Sequence, residues 1–270
     1  MNIHNILTEI EKTDPEVYDR LDTRRNAMRS FASFGGKVAL AAIPLALGSM
    51  FKKAYGQTTT GIAGVLNYAL TLEYLEAEFY TMGASSGVVP AGTPAVGAIN
   101  TIRDHENAHV AFLKTAISSL GGTAVSKPTF DFTAGGAFGN VFTNYDTFLA
   151  VAQTFEDTGV RAYKGRAAEL ISNNGVLTAA LQIHSVEARH ASHIRYMRKN
   201  RGANVKPWIT GKDTGGIGSA VQASYDGEEL TTQAGVNIAQ IVSANAASES
   251  FDEPLTATQV LAIVNPFIKK

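Results

Sequence analysis

Four segments of the chain carry apolar residues at the three- and four-residue spacing that places side chains on one face of a helix. The first segment shows it with Val65, Leu66, Ala69 and Leu70. Glycine or asparagine-glycine stretches, which commonly end helices, separate the segments. The pattern predicts four helices, from Gly61 to Met82, from about Val96 to Leu120, from about Tyr145 to Ser172 and from about Val176 to Asn200.

The connection between the second and third predicted helices is unusually long. Residues Gly121 to Asn144 lack helical periodicity and are rich in Gly, Thr and Phe. A loop of this length inside a compact domain needs a structural reason, and a four-helix bundle with a long crossover provides one. We therefore predict an all-α four-helix bundle over residues 57–205.

The chain changes character at both ends of this region. After Arg201, turn signals such as Gly215-Gly216 and Asp226-Gly227 predominate, and a short helix is predicted from about Thr256 to Val264. We interpret residues 206–270 as an irregular C-terminal extension packed on the bundle, without catalytic residues of its own.

The first 56 residues resemble an export signal. Arg24-Arg25 precede an apolar run from Val38 to Phe51, and Ala54-Tyr55-Gly56 ends in small residues. The paired arginines favour a twin-arginine signal with cleavage at Gly56–Gln57 and a periplasmic or cell-envelope location. Two alternatives stay open: an N-terminal helix of a cytoplasmic protein, or an uncleaved membrane anchor, although the run is short for the roughly 20 residues of a membrane span.

Composition narrows the chemistry. The chain has no cysteine, which excludes disulfides, zinc–thiolate sites and iron–sulfur clusters. Its formal net charge is −1 and it has no basic stripe, so no nucleic-acid partner is expected. Any bound metal must use carboxylate and imidazole ligands, and five of the six histidines fall in two short windows: His105, His109, His184, His190 and His193.

Each of these windows contains a Glu-x-x-His motif, Glu106/His109 on predicted helix 2 and Glu187/His190 on predicted helix 4. Residues three apart on a helix share a face, so each pair can bind one ion. A single such pair is more often a solvated helix surface. Two pairs on facing helices indicate a dinuclear metal site.

Such a site also needs one bridging carboxylate from each of helices 1 and 3. Helix 3 offers Glu156, beside Asp157, which we interpret as a surface or outer carboxylate. Helix 1 offers Glu73, Glu76 and Glu78.

An internal repeat favours Glu73 as the helix 1 ligand. Thr71-Leu72-Glu73, with Tyr80 seven residues after the glutamate, aligns with Thr154-Phe155-Glu156, with Tyr163 seven residues after. Glu76 and Glu78 align with Gly159 and Arg161, which carry no carboxylate. Glu76 remains an alternative ligand, or a group that contacts the ligands without binding the metal. Glu78 is expected to be solvated or ion-paired.

The predicted ligand set is Glu73, Glu106, His109, Glu156, Glu187 and His190. Four carboxylates and two imidazoles suit two Fe or two Mn ions, whose open positions can bind O₂, peroxide or water. Without metal, burying four carboxylates would cost heavily in desolvation and mutual repulsion.

The Glu … Glu-x-x-His … Glu … Glu-x-x-His pattern resembles the ferritin-like superfamily. Residues 72–80, 103–109 and 251–256 resemble the exported ferritin-like domain family that includes desiccation-related proteins. The resemblance implies a ferritin-like bundle in which Glu106 and Glu187 bridge or chelate two metals and His109 and His190 each cap one. The extension, absent from plain ferritins, argues against a ferritin-type storage shell.

The other histidines and two tyrosines have open roles. His105 is expected near the metals or at the surface, and His184 and His193 at the core edge or in solvent. Tyr80 and Tyr163 are either redox-active or hydrogen-bonding groups near the metals, or packed bundle aromatics.

Two functions fit this sequence. One is an oxidoreductase acting on O₂ or peroxide, ferroxidase-, peroxidase- or catalase-like, with no catalytic residue assigned beyond the ligands. The other is a non-catalytic exported protein of stress protection with a degenerate or structural metal site. A homo-oligomer, and membrane attachment through an uncleaved N-terminal segment, are left open.

Overall fold

The computed structural model describes residues 59–269 of the chain. Four long helices form the bundle: α1 (Thr59–Ser86), α2 (Pro94–Ser119), α3 (Tyr145–Arg166) and α4 (Asn174–Asn200). The predicted all-α bundle is confirmed. The predicted export signal, residues 1–56, and its cleavage site lie outside the described residues.

Helix ends follow local chemistry. Pro94 occupies the first turn of α2, and the side chains of Asn144 and Asn173 cap α3 and α4 by accepting from Thr147 N and Val176 N. The first helix extends past the predicted Met82 to Ser86 and stops at Gly87, whose positive φ of 78° glycine adopts without strain.

The third helix is shorter than predicted. It ends at Arg166, and a 3₁₀ turn over Ala167–Leu170 replaces its predicted last turn. The helical periodicity continues through this stretch because 3₁₀ and α spacing are similar over a single turn.

The helices pack as two hairpins, α1 against α2 and α3 against α4, in agreement with the tandem repeat in the sequence. The long connection between the hairpins, residues 120–144, is ordered: Phe130, Phe132, Phe138 and Val141 are buried in the core. The backbone of the C-terminal tail binds this connection, since Asp131 N donates to Phe267 O over 2.8 Å.

After α4 the described chain is mostly irregular. It contains a two-stranded hairpin, β1 (Thr232–Gln233) and β2 (Val236–Asn237), two short helices, α5 (Ala244–Ser248) and α6 (Ala257–Val264), and 3₁₀ turns at Ser219–Ser224, Ile238–Gln240 and Asn265–Phe267. None of the helices described between residues 59 and 269 is long and apolar enough to cross a membrane.

This C-terminal region covers α3, in which every residue from Phe148 to Tyr163 is buried. Arg161, 1% exposed, donates to the backbone carbonyls of Ser224 (2.6 Å) and Glu253 (2.7 Å), and its Nε lies 2.7 Å from Glu228 Oε1. Buried polar contacts of this kind fix the region in one register on the helix.

Asp157 belongs to the same polar face of α3, and the prediction that it is a surface or outer carboxylate of the metal site is wrong. Its carboxylate is buried and accepts from Arg195 Nη2 over 2.6 Å and from the Tyr225 hydroxyl over 2.9 Å. Helical geometry directs Asp157 about 100° away from its neighbour Glu156, and therefore towards α4 and the C-terminal region.

Candidate metal centre

Each of the four bundle helices directs a glutamate into the middle of the bundle. Glu73, Glu106, Glu156 and Glu187 are all completely buried, and His190 is 6% exposed. They lie on adjacent helices at matching heights because the two hairpins repeat the same pattern.

The six predicted ligands form two overlapping groups, in each of which the ligand atoms lie within 4.8 Å of one another. The first group is Glu73, Glu106, His109 and Glu187, and the second is Glu106, Glu156, Glu187 and His190. Glu106 and Glu187 occur in both, so the geometry assigns the shared role to helices α2 and α4. This grouping agrees with the roles that the family resemblance implies for Glu106 and Glu187. It does not agree with bridging by helices 1 and 3, because Glu73 and Glu156 each belong to one group.

Both imidazoles present Nδ1 to the carboxylates. His109 Nδ1 lies 3.1 Å from Glu73 Oε2, 3.0 Å from Glu106 Oε2 and 3.2 Å from Glu187 Oε1. His190 Nδ1 lies 2.9 Å from Glu106 Oε1 and 3.3 Å from Glu156 Oε2. Ligands about 2.1 Å from one octahedral metal ion are separated by about 3.0 Å from each other, so these distances fit the edges of a coordination shell.

Hydrogen bonding gives an independent test of that fit. Glu106 Oε1, Glu156 Oε2, both oxygens of Glu187 and His190 Nδ1 are buried without a hydrogen-bond partner. The contact between His190 Nδ1 and Glu106 Oε1 is short, but its direction does not suit a hydrogen bond. Buried polar atoms are nearly always satisfied, so these atoms fit metal ligands.

The charge balance leads to the same conclusion. Burial raises the pKa of Glu73 to about 7, and it raises the pKa of Glu187 well above the usual range, with further repulsion from Glu106. Burial alone would lower the pKa of His190, but the carboxylates, Glu156 first, raise it to about 11. The metal-free site thus takes up protons to offset its negative charge. Two divalent cations would neutralise the four glutamates directly.

Glu106 behaves differently. Burial opposes its ionisation, but the hydrogen bond from His109 and the close approach of the His190 imidazole outweigh that effect and lower its pKa. Its two oxygens lie 3.0 Å from His109 Nδ1 and 2.9 Å from His190 Nδ1, respectively.

Two tyrosines hydrogen-bond across the hairpins. The hydroxyl of Tyr80 on α1 donates to Glu156 Oε1 on α3, and that of Tyr163 on α3 donates to Glu73 Oε1 on α1, each over 2.5 Å. Each bond occupies one carboxylate oxygen and leaves the other facing the imidazoles. Of the roles considered for these tyrosines, the structure places both in hydrogen-bonding positions.

His105 also contacts this site, a pairing that the motif spacing alone does not predict. Its Nδ1 lies 3.0 Å from Nε2 of His190, and the two rings stack with centroids 5.3 Å apart. With Nδ1 of His190 directed at the carboxylates, its Nε2–H can donate to His105 and hold the ring in place.

Glu76 lies beside the two ligand groups but belongs to neither. It is buried, and burial together with the charges of Glu187 and Glu156 raises its pKa well above the usual range. Gly159 provides the space: a Cβ there would lie 3.4 Å from Glu76 Oε1 and 3.3 Å from Glu187 Oε2. The alignment of Glu76 with Gly159 is the sequence signal for this arrangement.

The remaining polar residues considered lie away from the ligand groups. Glu78 forms a surface ion pair with Lys127. His193 is exposed, and His184 is half-buried with its Nε2 unpartnered.

Comparison with known proteins agrees with this fold. No curated protein sequence matches the chain. The Ferritin-like domain family matches residues 61–200, which span the four helices and all six predicted ligands. The chain therefore belongs to the ferritin-like domain family.

Proposed function

We propose that the chain binds two Fe or two Mn ions and acts as an oxidoreductase on O₂ or peroxide. The observation that carries the proposal is the sharing of Glu106 and Glu187 between two buried ligand groups. Shared carboxylates hold two ions close together, and carboxylate–imidazole ligation tolerates a change of oxidation state.

The residues of the chain have distinct parts in this proposal. Glu106 and Glu187 would hold both ions, while Glu73 with His109 and Glu156 with His190 would each complete the ligands of one ion. Tyr163 and Tyr80 orient the end carboxylates through their hydroxyls. When bound, Fe or Mn would supply the electrons for reduction of O₂ or peroxide. The buried surroundings of the six residues keep bulk water from the site.

Elemental analysis combined with two assays tests the proposal. The metal-free full-length chain is loaded with Fe(II) without oxygen, or with Mn(II), and the bound metal is counted. We expect two ions per chain, with either Fe(II) oxidation by O₂ or peroxide, or oxygen release from peroxide by the manganese form. A folded chain that binds neither metal overturns the proposal. Two bound ions without turnover would instead support the non-catalytic, stress-protection alternative.

We propose further that residues 57–205 form the bundle domain, with residues 206–270 as its extension, and that the chain is related to desiccation-related proteins. We also propose that residues 1–56 are an export signal. The basic, apolar and small-residue order of the N-terminal segment supports export. N-terminal sequencing of the native protein tests this: a start at Gln57 supports cleavage, and a start at Met1 or Asn2 contradicts it.

A further inference from the structure

A small apolar cavity lies inside the bundle, between all four long helices, at the end formed by the first half of α1 and the second half of α2. Its volume is about 20 Å³, counted as the space open to the centre of a water-sized molecule. That is room for one or two small molecules and too little for a larger organic ligand.

The cavity lies about one helical turn from the Glu73–His109 group. On three helices a cavity residue lies four positions from a ligand: Ala69 from Glu73, Leu113 from His109 and Ile183 from Glu187. Tyr163 lines the cavity and also donates its hydroxyl to Glu73. A molecule in the cavity is therefore separated from the Glu73–His109 ligand group by a single layer of side chains.

The two halves of the internal repeat carry side chains of different size at the positions that line this space. The alignment that matches Glu73 with Glu156 and Glu106 with Glu187 gives each cavity residue a counterpart in the other half of the repeat. Five counterparts are larger, and all five are buried: Phe148 for Val65, Phe155 for Leu72, Phe79 for Ala162, Met197 for Ala116 and Ile99 for Ala180. Five are smaller: Val151 for Tyr68, His193 for Phe112, Gly83 for Arg166, Gly87 for Leu170 and Ala95 for Val176.

These larger side chains fill the counterpart space. Phe79 and Phe148 stack with centroids 4.8 Å apart, and Phe155 packs edge-on to Phe79 at 5.1 Å. Phe148 sits so close to Gly83 that a Cβ there would lie 2.3 Å from its ring. Aromatic side chains pack together at this end of the bundle, and the other end keeps a void whose lining includes four alanines.

The lining of the cavity favours an apolar occupant. Tyr68 and Arg166 are its half-exposed residues, and the Arg166 guanidinium lies 5.3 Å above the Tyr68 ring. Two polar atoms of the lining, the Tyr68 hydroxyl and Arg166 Nε, are buried without a hydrogen-bond partner, whereas the Tyr163 hydroxyl donates to Glu73. Arginine can only donate, so the Tyr68 oxygen is the unpartnered acceptor of this lining. Hydrogen peroxide, with two O–H donors, would leave hydrogen bonds unmade there, whereas dioxygen needs none.

We propose that this cavity binds dioxygen and delivers it to the metal pair from the Glu73–His109 side. Delivery of O₂ to the metal pair rests on the proposed function, because it requires a bound metal pair that reacts with O₂ rather than with peroxide. The binding of an apolar gas by the cavity is testable without any metal.

The test uses Ala116→Met, which introduces the residue that the chain itself carries at the counterpart position, Met197. The matched control is Ala111→Met, the same change at an exposed position of the same helix. Crystals of each protein are pressurised with xenon, which occupies small dry apolar cavities. We expect xenon in the cavity of the wild type and of Ala111→Met, and none in Ala116→Met.

A kinetic measurement on the iron-loaded full-length chain completes the test. In Ala116→Met we expect the KM for O₂ to rise about tenfold with unchanged kcat at saturating O₂, equivalent to about 1.4 kcal/mol less favourable capture. Metal content and peroxide-driven oxidation should match those of Ala111→Met. If Ala116→Met does not fold, it is replaced by Ala180→Ile, which introduces the side chain found at the counterpart position, Ile99.

The outcomes separate the two proposals. Absence of xenon from the wild-type cavity, or loss of xenon in Ala116→Met without a change in the KM for O₂, overturns the inference. If the chain loads no metal, the proposed function fails, while xenon bound in the wild type and lost in Ala116→Met still supports a gas-binding cavity.

Discussion

A comparison of Glu156→Gln with Glu187→Gln tests the assignment of shared and unshared ligands. Glu156 belongs to one ligand group, and Glu187 belongs to both. Each change replaces a fully buried carboxylate with an amide of the same shape. We expect Glu156→Gln to keep one tightly bound ion, at the Glu73–His109 end, and Glu187→Gln to bind neither ion tightly.

The magnitude follows from linkage between binding and folding. At a free metal concentration 100 times Kd, each bound ion stabilises the folded chain by about 2.7 kcal/mol. In a domain of about 200 residues, 1 kcal/mol corresponds to about 2–4 °C in Tm, so each ion should add about 5–11 °C. The wild type should gain about twice this amount, Glu156→Gln should gain it once, and Glu187→Gln should gain almost nothing.

The assay combines elemental analysis with thermal unfolding, with and without metal. Glu78→Ala is the matched control, because Glu78 lies on the same helix as Glu73 but forms a surface ion pair with Lys127. The control should load two ions with the wild-type gain in Tm. Equal metal content in Glu156→Gln and Glu187→Gln would refute the assignment of Glu187 as a shared ligand. Equal loss in Glu78→Ala would refute the choice of helix face.

Three further outcomes are expected. Arg161→Met should cost about 3–5 kcal/mol in urea unfolding because it leaves Glu228 buried without its cation, and adding Glu228→Leu should recover most of the loss; no recovery would count against the ion pair as the cause. Gly165→Ala should destabilise the chain by about 1–3 kcal/mol, since a Cβ there would lie 2.0 Å from the carbonyl oxygen of Leu255, and an unchanged urea midpoint would contradict this contact. In the metal-free chain, the pKa of Glu73 is raised from 4.5 to about 7, so the folded state holds its proton more tightly and Tm should fall as pH rises through this window. The metal-loaded chain should show the opposite trend, because ligand deprotonation favours metal binding, and parallel trends in the two forms would exclude a buried metal site.

The sequence by itself was sufficient to predict the bundle and the six residues that meet at its candidate metal centre. The four helices follow from the spacing of apolar residues. In each Glu-x-x-His pair, 106–109 and 187–190, the glutamate and histidine are about one helical turn apart and therefore share a face. The repeat that aligns Glu73 with Glu156 places the two hairpins in equivalent roles. These features are local, and helical geometry relates sequence spacing directly to a shared face.

Tertiary structure decided the contacts between helices. It placed Glu106 and Glu187, rather than Glu73 and Glu156, in both ligand groups, and it brought His105 against His190. It also directed Asp157 to Arg195 and away from the metal centre. These outcomes depend on the rotation and relative height of separate helices, which spacing along one helix does not encode.

The asymmetry of the bundle is the clearest case of this division. The sequence repeat predicts two equivalent halves, and the candidate ligands and the two tyrosines follow it closely. The packing around these residues does not follow the repeat. Phe79, Phe148 and Phe155 fill one end of the bundle, whereas Ala116 and Ala162 line a cavity at the other end. A cavity is the difference between the volume that the backbone encloses and the volume that side chains from several helices occupy, so only their packing in three dimensions decides where it lies.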